Sequence, residues 1–215
     1  MEFSLVRSAM FNQSLSTSRI RLRSDKINTP VTIAVVADLH SCDYGKGQKE
    51  LVNAVLTEKP DIILLVGDFF DDDIPPEKAV EFLAGISGKA SCFYVAGNHE
   101  FRSGRVDGFK QTVKSYNVFV LNGGFADVKT RGQTIRICGI DDPDTDKIKN
   151  QSKPYETQKK ALKSALQSDL YRILLAHRPE RIKEYQELSP DLVVSGHAHG
   201  GQWRLPLILK NGLYA

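Results

Sequence analysis

Apolar residues gather along the chain into short uninterrupted runs, and amphipathic segments separate most of these runs. Runs rich in Val, Ile and Leu that are too short for buried helices predict buried strands. The predicted strands are residues 31–37, 62–66, 92–95, 173–176 and 192–194. Apolar residues at helical spacing, bounded by Pro or Gly, predict helices. The predicted helices are residues 46–59, 77–88, 106–116, 155–168 and 179–186. Strands that alternate with helices are typical of an α/β fold with parallel strands.

The middle of the chain differs, because its apolar runs follow one another without helices between them. These runs are residues 118–121, 125–128 and 134–138. The segments Asn122-Gly123-Gly124 and Arg131-Gly132 lie between them and are hairpin-turn signals. We therefore expect short hairpin strands here. Residues 1–29, rich in Ser and Arg, predict an edge strand or two, or an extension, of one domain covering residues 1–215.

Composition places the protein among ordinary globular chains, with 41% hydrophobic and 26% charged residues. The net charge of +3 lies in residues 1–26. The remainder has no basic stripe, so we expect no nucleic-acid partner. The three cysteines form no Cys-x-x-Cys pair, which argues against a disulfide framework and favours a reducing compartment. With no signal-peptide core and no apolar run long enough for a membrane span, we expect a cytoplasmic protein.

Residues of the kinds that bind metals follow the predicted strands directly. They are Asp38, His40, Asp68, Asn98, His99, His177, His197 and His199, and they include all five histidines of the chain. Because carboxyl ends of parallel strands meet at one edge of a sheet, we expect these side chains to converge. Histidines buried for purely structural reasons would instead scatter among strands and helices. The pattern therefore predicts a metal site.

Seven ligands drawn from these eight residues are too many for one tetrahedral ion and are suited to two ions that share a ligand. Imidazole, carboxylate and amide groups without thiolate favour Mn, Fe, Zn, Co or Ni. Two such ions activate a bridging water as hydroxide and hold the oxygens of a group undergoing in-line displacement, which is what phosphoryl transfer needs. The predicted cofactors are therefore two divalent transition-metal ions.

Five motifs occur in a fixed order: Asp38-x-His40, Gly67-Asp68, Gly97-Asn98-His99-Glu100, His177 alone, and Gly196-His197-x-His199. In this order they resemble the calcineurin-like metallophosphoesterase superfamily, over about Val31 to Trp203. The segments Tyr44-Gly45, 177–180 and 196–202 are most similar to a bacterial branch of small metallophosphoesterases. That branch is similar to the cell-wall and lipid-precursor phosphoesterases of bacteria.

The resemblance implies a four-layer αββα sandwich of two mixed sheets flanked by helices. It implies one ion held by Asp38, His40 and His199, and a second held by Asn98, His177 and His197. Asp68 would bridge the ions, and His99 would protonate the leaving oxygen or stabilise the charged transition state. Glu100 would hold the loop rather than bind metal. Relatives generally continue beyond the equivalent of residue 215, so we expect C-terminal strands of the second sheet to be missing.

The leading hypothesis is a dinuclear metal-dependent phosphoesterase that hydrolyses phosphomonoesters or phosphodiesters of small molecules or lipid precursors. The alternatives are a non-catalytic scaffold of the same fold, although no ligand is missing, and a nuclease of the same superfamily, although no basic groove is evident.

Arg178 is expected either to bind the phosphate or to pair with a loop carboxylate, with equal weight for each. The acidic groups at 71–73 and at 141, 142, 144 and 146 are expected to be solvated loops, with repulsion of anionic substrates or recruitment of an extra cation as the alternative. The apolar run 205–209 predicts sheet core, with membrane contact as the less favoured reading.

Overall fold

The structure is a computed structural model, and it describes residues 15, 17–147 and 154–199. The chain divides into two compact units, one of residues 22–197 and one of residues 1–21 with 198–215. All helices and strands given below belong to the larger unit. Residues 17–29 contain no strand, and the remainder of the predicted N-terminal edge, like the run 205–209, lies outside the described residues. That the whole chain is one domain stays a prediction.

Among the described residues, the first sheet contains four strands, which lie side by side in chain order: β1 (Ile33–Val36), β2 (Ile62–Val66), β3 (Ser91–Val95) and β4 (Val118–Val120). Every neighbouring pair is parallel. All five residues of β2 are buried, as expected for the central strand of a sheet covered on both faces. The predicted parallel strands of the first half are thus present.

The second sheet contains β5 (Gly124–Thr130), β6 (Gln133–Ile140), β7 (Tyr171–Ala176) and β8 (Leu192–Val194), in that order. The β5–β6 pair is antiparallel and the others are parallel. Arg131 (φ 50°) and Gly132 (φ 76°) form its two-residue turn, as the hairpin signal predicted. This sheet is mixed, whereas the first is parallel among all its described strands.

The predicted hairpin at Asn122-Gly123 is wrong. β4 pairs with β3 in the first sheet, and the chain then crosses to the second sheet. Leu121 N donates to Tyr94 O, while Gly123 N donates to Gly139 O, so the crossing is complete within two residues. Gly123 (φ 72°) packs directly on Gln158, and a Cβ at position 123 would collide with the backbone and side chain of Gln158. The glycine therefore serves close packing rather than a hairpin turn.

Six α-helices are found within the described ranges: α1 (Lys49–Thr57), α2 (Glu77–Ile86), α3 (Asn98–Arg102), α4 (Val106–Ser115), α5 (Tyr155–Ala165) and α6 (Ile182–Glu187). Three short 3-10 turns, Lys46–Gln48, Pro143–Lys147 and Pro179–Arg181, accompany them. Five of the six helices were predicted, and α3 was not. Across the described part of the chain, no helix has the length and apolar character needed to cross a bilayer.

The inner strands of the two sheets bury both of their faces, whereas Val35, Phe119 and Phe125 on outer strands are exposed. Ile63 and Leu65 of β2 pack in a cluster with α1 to α4, while Ile62 and Leu64 pack against β6 and β7 of the other sheet. A third cluster lies between the outer face of the second sheet and α5 and α6. The order of layers is therefore helix, sheet, sheet, helix, and the α/β four-layer sandwich is confirmed.

Candidate metal centre

The loops that follow the strands of both sheets are joined by hydrogen bonds at one edge of the sandwich. Asp38 N donates to Gly67 O at 3.1 Å, and His40 N donates to Asp68 O at 2.9 Å. From the other sheet, His197 N donates to Asp38 Oδ1 at 2.8 Å. The predicted convergence of strand ends is thus present for these residues.

Four of the predicted ligands hold a left-handed backbone that residues other than glycine rarely adopt. The φ angles are 54° at Asp38, 47° at His40, 48° at Asp68 and 66° at His197. Such conformations cost free energy and concentrate at functional sites. His199 (φ 48°) shares this property but belongs to the smaller unit, so its place in the site stays a prediction.

Asp68 lies at the centre of the cluster and is only 1% exposed. Its Oδ2 is 3.0 Å from His177 Nε2 and 3.9 Å from His40 Nε2, while Oδ1 accepts a hydrogen bond from His99 N at 2.8 Å. Burial would raise the pKa of Asp68, but the neighbouring His177 holds it well below its usual range. One ionised carboxylate therefore has imidazoles from both sheets beside the same oxygen.

His177 is oriented by its other ring nitrogen. Because a carbonyl can only accept, the 2.9 Å contact from His177 Nδ1 to Val66 O places the proton on Nδ1 and directs Nε2 toward Asp68. Burial alone would lower the pKa of His177, but Asp68 raises it to about 9. One ligand atom each from Asp68, His177 and His197 lies within 4.8 Å of the others, a spacing that suits a shared ion.

One buried polar atom of the site, Asn98 Oδ1, has no hydrogen-bond partner among the described residues. The neighbouring ligand candidate His177 instead has its Nε2 3.0 Å from Asp68 Oδ2. Unsatisfied buried acceptors are rare and call for a partner such as an ion. An amide oxygen and an imidazole nitrogen are suitable donors for a divalent transition metal. These residues therefore fit the metal that the strand-end pattern predicts.

Glycine is required before Asp68 and before Asn98 by the closeness of the loops. A Cβ on Gly67 (φ 76°) would collide with the His177 ring, and one on Gly97 would collide with the Asp68 carboxylate. The glycines of these motifs let the ends of β2 and β3 approach each other and the histidine.

Glu100 holds two loops of the site and is fully buried. Its carboxylate accepts four backbone N–H groups, from Asp68 (3.0 Å), Phe69 (2.7 Å), Phe70 (3.0 Å) and Gly97 (2.9 Å). Both oxygens are therefore occupied by the backbone of the Asp68 and Asn98 loops. This arrangement agrees with the loop-holding role that the resemblance implied.

Sequence reasoning missed two acidic residues, since the run 71–73 was expected to be a solvated loop. Asp71 is 8% exposed, and its Oδ2 lies 3.0 Å from His40 Nδ1. Asp72 Oδ1 lies 2.6 Å from His99 Nδ1. A carboxylate on Nδ1 orients each imidazole and places Nε2 toward the opposite side of the ring. Their position three and four residues after Asp68 was the available signal.

Arg178 pairs with loop carboxylates. These carboxylates were expected to be solvated, but they are buried. Its Nε lies 2.7 Å from Asp142 Oδ2, and Nη2 lies 3.7 Å from Asp144 Oδ1. Burial lowers the pKa of Arg178, but Asp142 more than offsets this and raises it. Nη1 lies 3.2 Å from His197 Nε2, so the guanidinium also borders the predicted ligands. Of the two roles expected for Arg178, pairing with a loop carboxylate is observed, and phosphate binding stays a prediction.

Comparison with known proteins agrees with this geometry. The family model for calcineurin-like phosphoesterases matches residues 31–201. An uncharacterised metallophosphoesterase of Helicobacter pylori is 32% identical over 89% of the chain, which spans 51% of that protein. Phosphodiesterase YaeI of Escherichia coli is 29% identical over 88% of the chain, which spans 68% of it. The NAD nucleotidase structure of Haemophilus influenzae shares the fold, with a TM-score of 0.54 and 17% identity over 83% of this chain and 41% of that one.

The resemblance seen in the ordered motifs is therefore confirmed at the level of the family. The chain spans about half the length of the Helicobacter relative. The matched segment contains every predicted ligand, from Asp38 to His199. The chain belongs to the calcineurin-like phosphoesterase family.

Proposed function

We propose that this protein is a dinuclear metal-dependent phosphoesterase that hydrolyses phosphomonoesters or phosphodiesters of small molecules or lipid precursors. The observation that carries the proposal is the position of Asp68, whose Oδ2 lies beside imidazoles that arrive from different sheets. A buried carboxylate in that position is suited to be shared by two ions.

Two ligand sets are proposed, and Asp68 would be shared by both. Asp38, His40 and His199 would hold one ion, and Asn98, His177 and His197 would hold the other. The donor set contains imidazole, carboxylate and amide, so Mn, Fe, Zn, Co and Ni are the candidates. Two bound ions would supply Lewis acidity and an activated water for displacement at phosphorus. The unsatisfied Asn98 Oδ1 supports this division for the second ion.

His99 is the proposed general acid. Asp72 accepts from its Nδ1, which leaves Nε2 as the nitrogen that would hold a proton for the leaving oxygen. Its backbone N–H is bound to Asp68 Oδ1, which keeps the residue beside the bridging carboxylate. Asn98, His99 and Arg178 would contact the phosphate, and Arg178 would do so through Nη1, the nitrogen nearest the site.

The relatives' names favour small phosphate esters as substrates. YaeI is named a phosphodiesterase, and the structural neighbour is named an NAD nucleotidase. The first name describes cleavage of a phosphodiester and the second describes cleavage of a nucleotide, and a dinuclear site is suited to displacement at phosphorus in either. A cytoplasmic location and the lack of a nucleic-acid partner stay predictions of the composition.

The proposal is tested by assaying the full chain against aryl phosphate monoesters and diesters, nucleotide-sugars and phospholipids. Activity should disappear after treatment with a chelator and return with Mn²⁺ or Zn²⁺. Asp127→Asn, which removes an exposed carboxylate from β5, is the control and should be active. A folded, metal-loaded chain that hydrolyses none of these esters would favour the scaffold alternative, and efficient cleavage of DNA alone would favour the nuclease.

A further inference from the structure

A buried ion pair joins α4 to the residue that follows β6, and it includes none of the predicted ligands. Lys110 Nζ on α4 lies 2.6 Å from Oδ2 of Asp141, the residue directly after β6. Their side chains are 9% and 1% exposed. A buried pair adds little net stability, because removing both charges from water offsets their attraction. Its significance therefore lies in the geometry that it holds.

Asp141 binds the backbone at the end of β3. Its Oδ1 accepts from Ala96 N at 3.1 Å, and the N–H of the next residue, Asp142, donates to Ala96 O at 3.0 Å. Both main-chain polar groups of Ala96 are thus bound by consecutive residues of the second sheet's edge. Ala96 directly follows β3 and stands two residues before Asn98, so this contact fixes the start of the Asn98 loop.

Asp141 is itself held from both helical layers. Lys110 belongs to α4, beside the first sheet, and Gln158 belongs to α5, beside the second. Gln158 Oε1 accepts from Asp141 N at 3.1 Å, and its Nε2 lies 3.5 Å from Asp141 Oδ2. With both oxygens and its N–H occupied, the Asp141 carboxylate has one orientation available.

Asp142, the residue next to Asp141, is connected through Arg178 to His197, a second predicted ligand of the same ion. Asp142 Oδ2 pairs with Arg178 Nε at 2.7 Å, and Arg178 Nη1 lies 3.2 Å from His197 Nε2. The carboxyl end of β6 is therefore connected to the Asn98 loop through Asp141 and to His197 through Asp142.

We propose that Lys110 and Asp141 are positioning residues for the ion held by Asn98, His177 and His197. The inference rests on the proposed function, since it requires Asn98 to be a ligand. A neutral amide oxygen binds a metal more weakly than a carboxylate, so its contribution depends on being held in place. The Lys110–Asp141 pair provides that placement by fixing Ala96. Loss of the pair therefore lowers the affinity for this ion and not for the other.

The test is a metal titration of the chelator-treated full chain, using Mn²⁺ or Zn²⁺ in competition with a chromophoric chelator. Asp141→Asn and Lys110→Gln should each lower the affinity for one of the two ions by roughly 10–100-fold, the loss typical of residues that orient ligands. The affinity for the other ion should be unchanged. Lys110→Arg preserves the charge and should restore most of the affinity. Asp127→Asn, the same change in the exposed pair with Arg136, should titrate like the wild type.

Hydrogen exchange gives a second readout that needs no variant. In the wild-type chain, the Ala96 amide should exchange as slowly as the amides of β3. Exchange at the rate of an exposed loop would overturn the proposal, as would folded Asp141→Asn or Lys110→Gln variants that titrate like the wild type. A wild-type chain that binds no metal would defeat the proposed function instead, so the two failures are distinguishable.

Discussion

Asp68 Oδ2 lies 3.0 Å from His177 Nε2, although the two residues follow strands of different sheets. The contact exists because β2 and β7 end at the same edge of the sandwich, and because Gly67 lets the imidazole ring lie against the backbone. Two residues more than one hundred positions apart in the sequence are thereby close enough to bind the same ion. The packing of the two sheets therefore brings these two residues of the site together.

Asp68→Asn should be the most damaging single substitution at the site. It preserves size but removes the charge that both ions would share, so the loss of kcat/KM should exceed about 100-fold, above the range for residues that only orient ligands. Steady-state kinetics on metal-supplemented protein measure it. Near-normal turnover in the variant would rule out Asp68 as a shared ligand.

His99→Asn should lower kcat while sparing metal content, because this side chain would move a proton and hold no ion. General acid catalysis contributes about 10²–10⁴-fold. The loss should be smaller for nitrophenyl esters, whose leaving groups need little protonation, than for alkyl esters. A parallel loss of bound metal, measured by elemental analysis, would instead place His99 among the ligands.

Gly97→Ala should destabilise the protein by about 1–3 kcal/mol, since its Cβ would be forced against the Asp68 carboxylate. Gly108→Ala is the matched control, because Gly108 lies within α4 with open space around it. That change should stabilise the protein by about 0.4–1 kcal/mol. Urea unfolding compares the two, and equal effects would contradict the close approach seen at Gly97.

Asp191 gives the stability a defined dependence on pH. Burial opposes its ionisation, but hydrogen bonds from Arg172 and Lys26 lower the pKa of Asp191 to about 2. An unfolded aspartate titrates near pH 3.9, so this stabilisation is present above about pH 4 and is lost as pH falls toward 2. Asp191→Asn should therefore cost on the order of 1 kcal/mol at pH 7, limited by solvent screening of a part-exposed group.

Chelator-treated protein should be used for that comparison, so that ion release does not contribute. The difference in unfolding free energy between wild type and Asp191→Asn should shrink across the acid range. A difference that stays constant from pH 7 to pH 2.5 would show that the carboxylate charge is not its source.

The sequence predicts those elements whose residues share one environment along their length. β2 matched its predicted bounds, since Ile62 to Val66 are all buried and form an unbroken apolar run. α3 was missed because its five residues are too few to show helical periodicity. β4 was assigned to a hairpin because local pattern does not distinguish which sheet a short strand joins.

The site was predictable where the ligands directly follow strands, and less so where charges lie in loops. Asp71 and Asp142 were expected in solvent, yet one contacts His40 and the other contacts Arg178. Burial of a loop carboxylate depends on which side chains arrive from other parts of the chain. That information is tertiary and leaves no periodic trace in the sequence.

The most direct test of the account is the number of metal ions that the full chain binds. Protein treated with chelator and titrated with Mn²⁺ or Zn²⁺ should bind close to two ions, and Asp68→Asn should lose most of that binding while Asp127→Asn keeps it. A wild-type chain that saturates at fewer than one ion, or an Asp68→Asn variant that still binds two, would contradict the dinuclear centre.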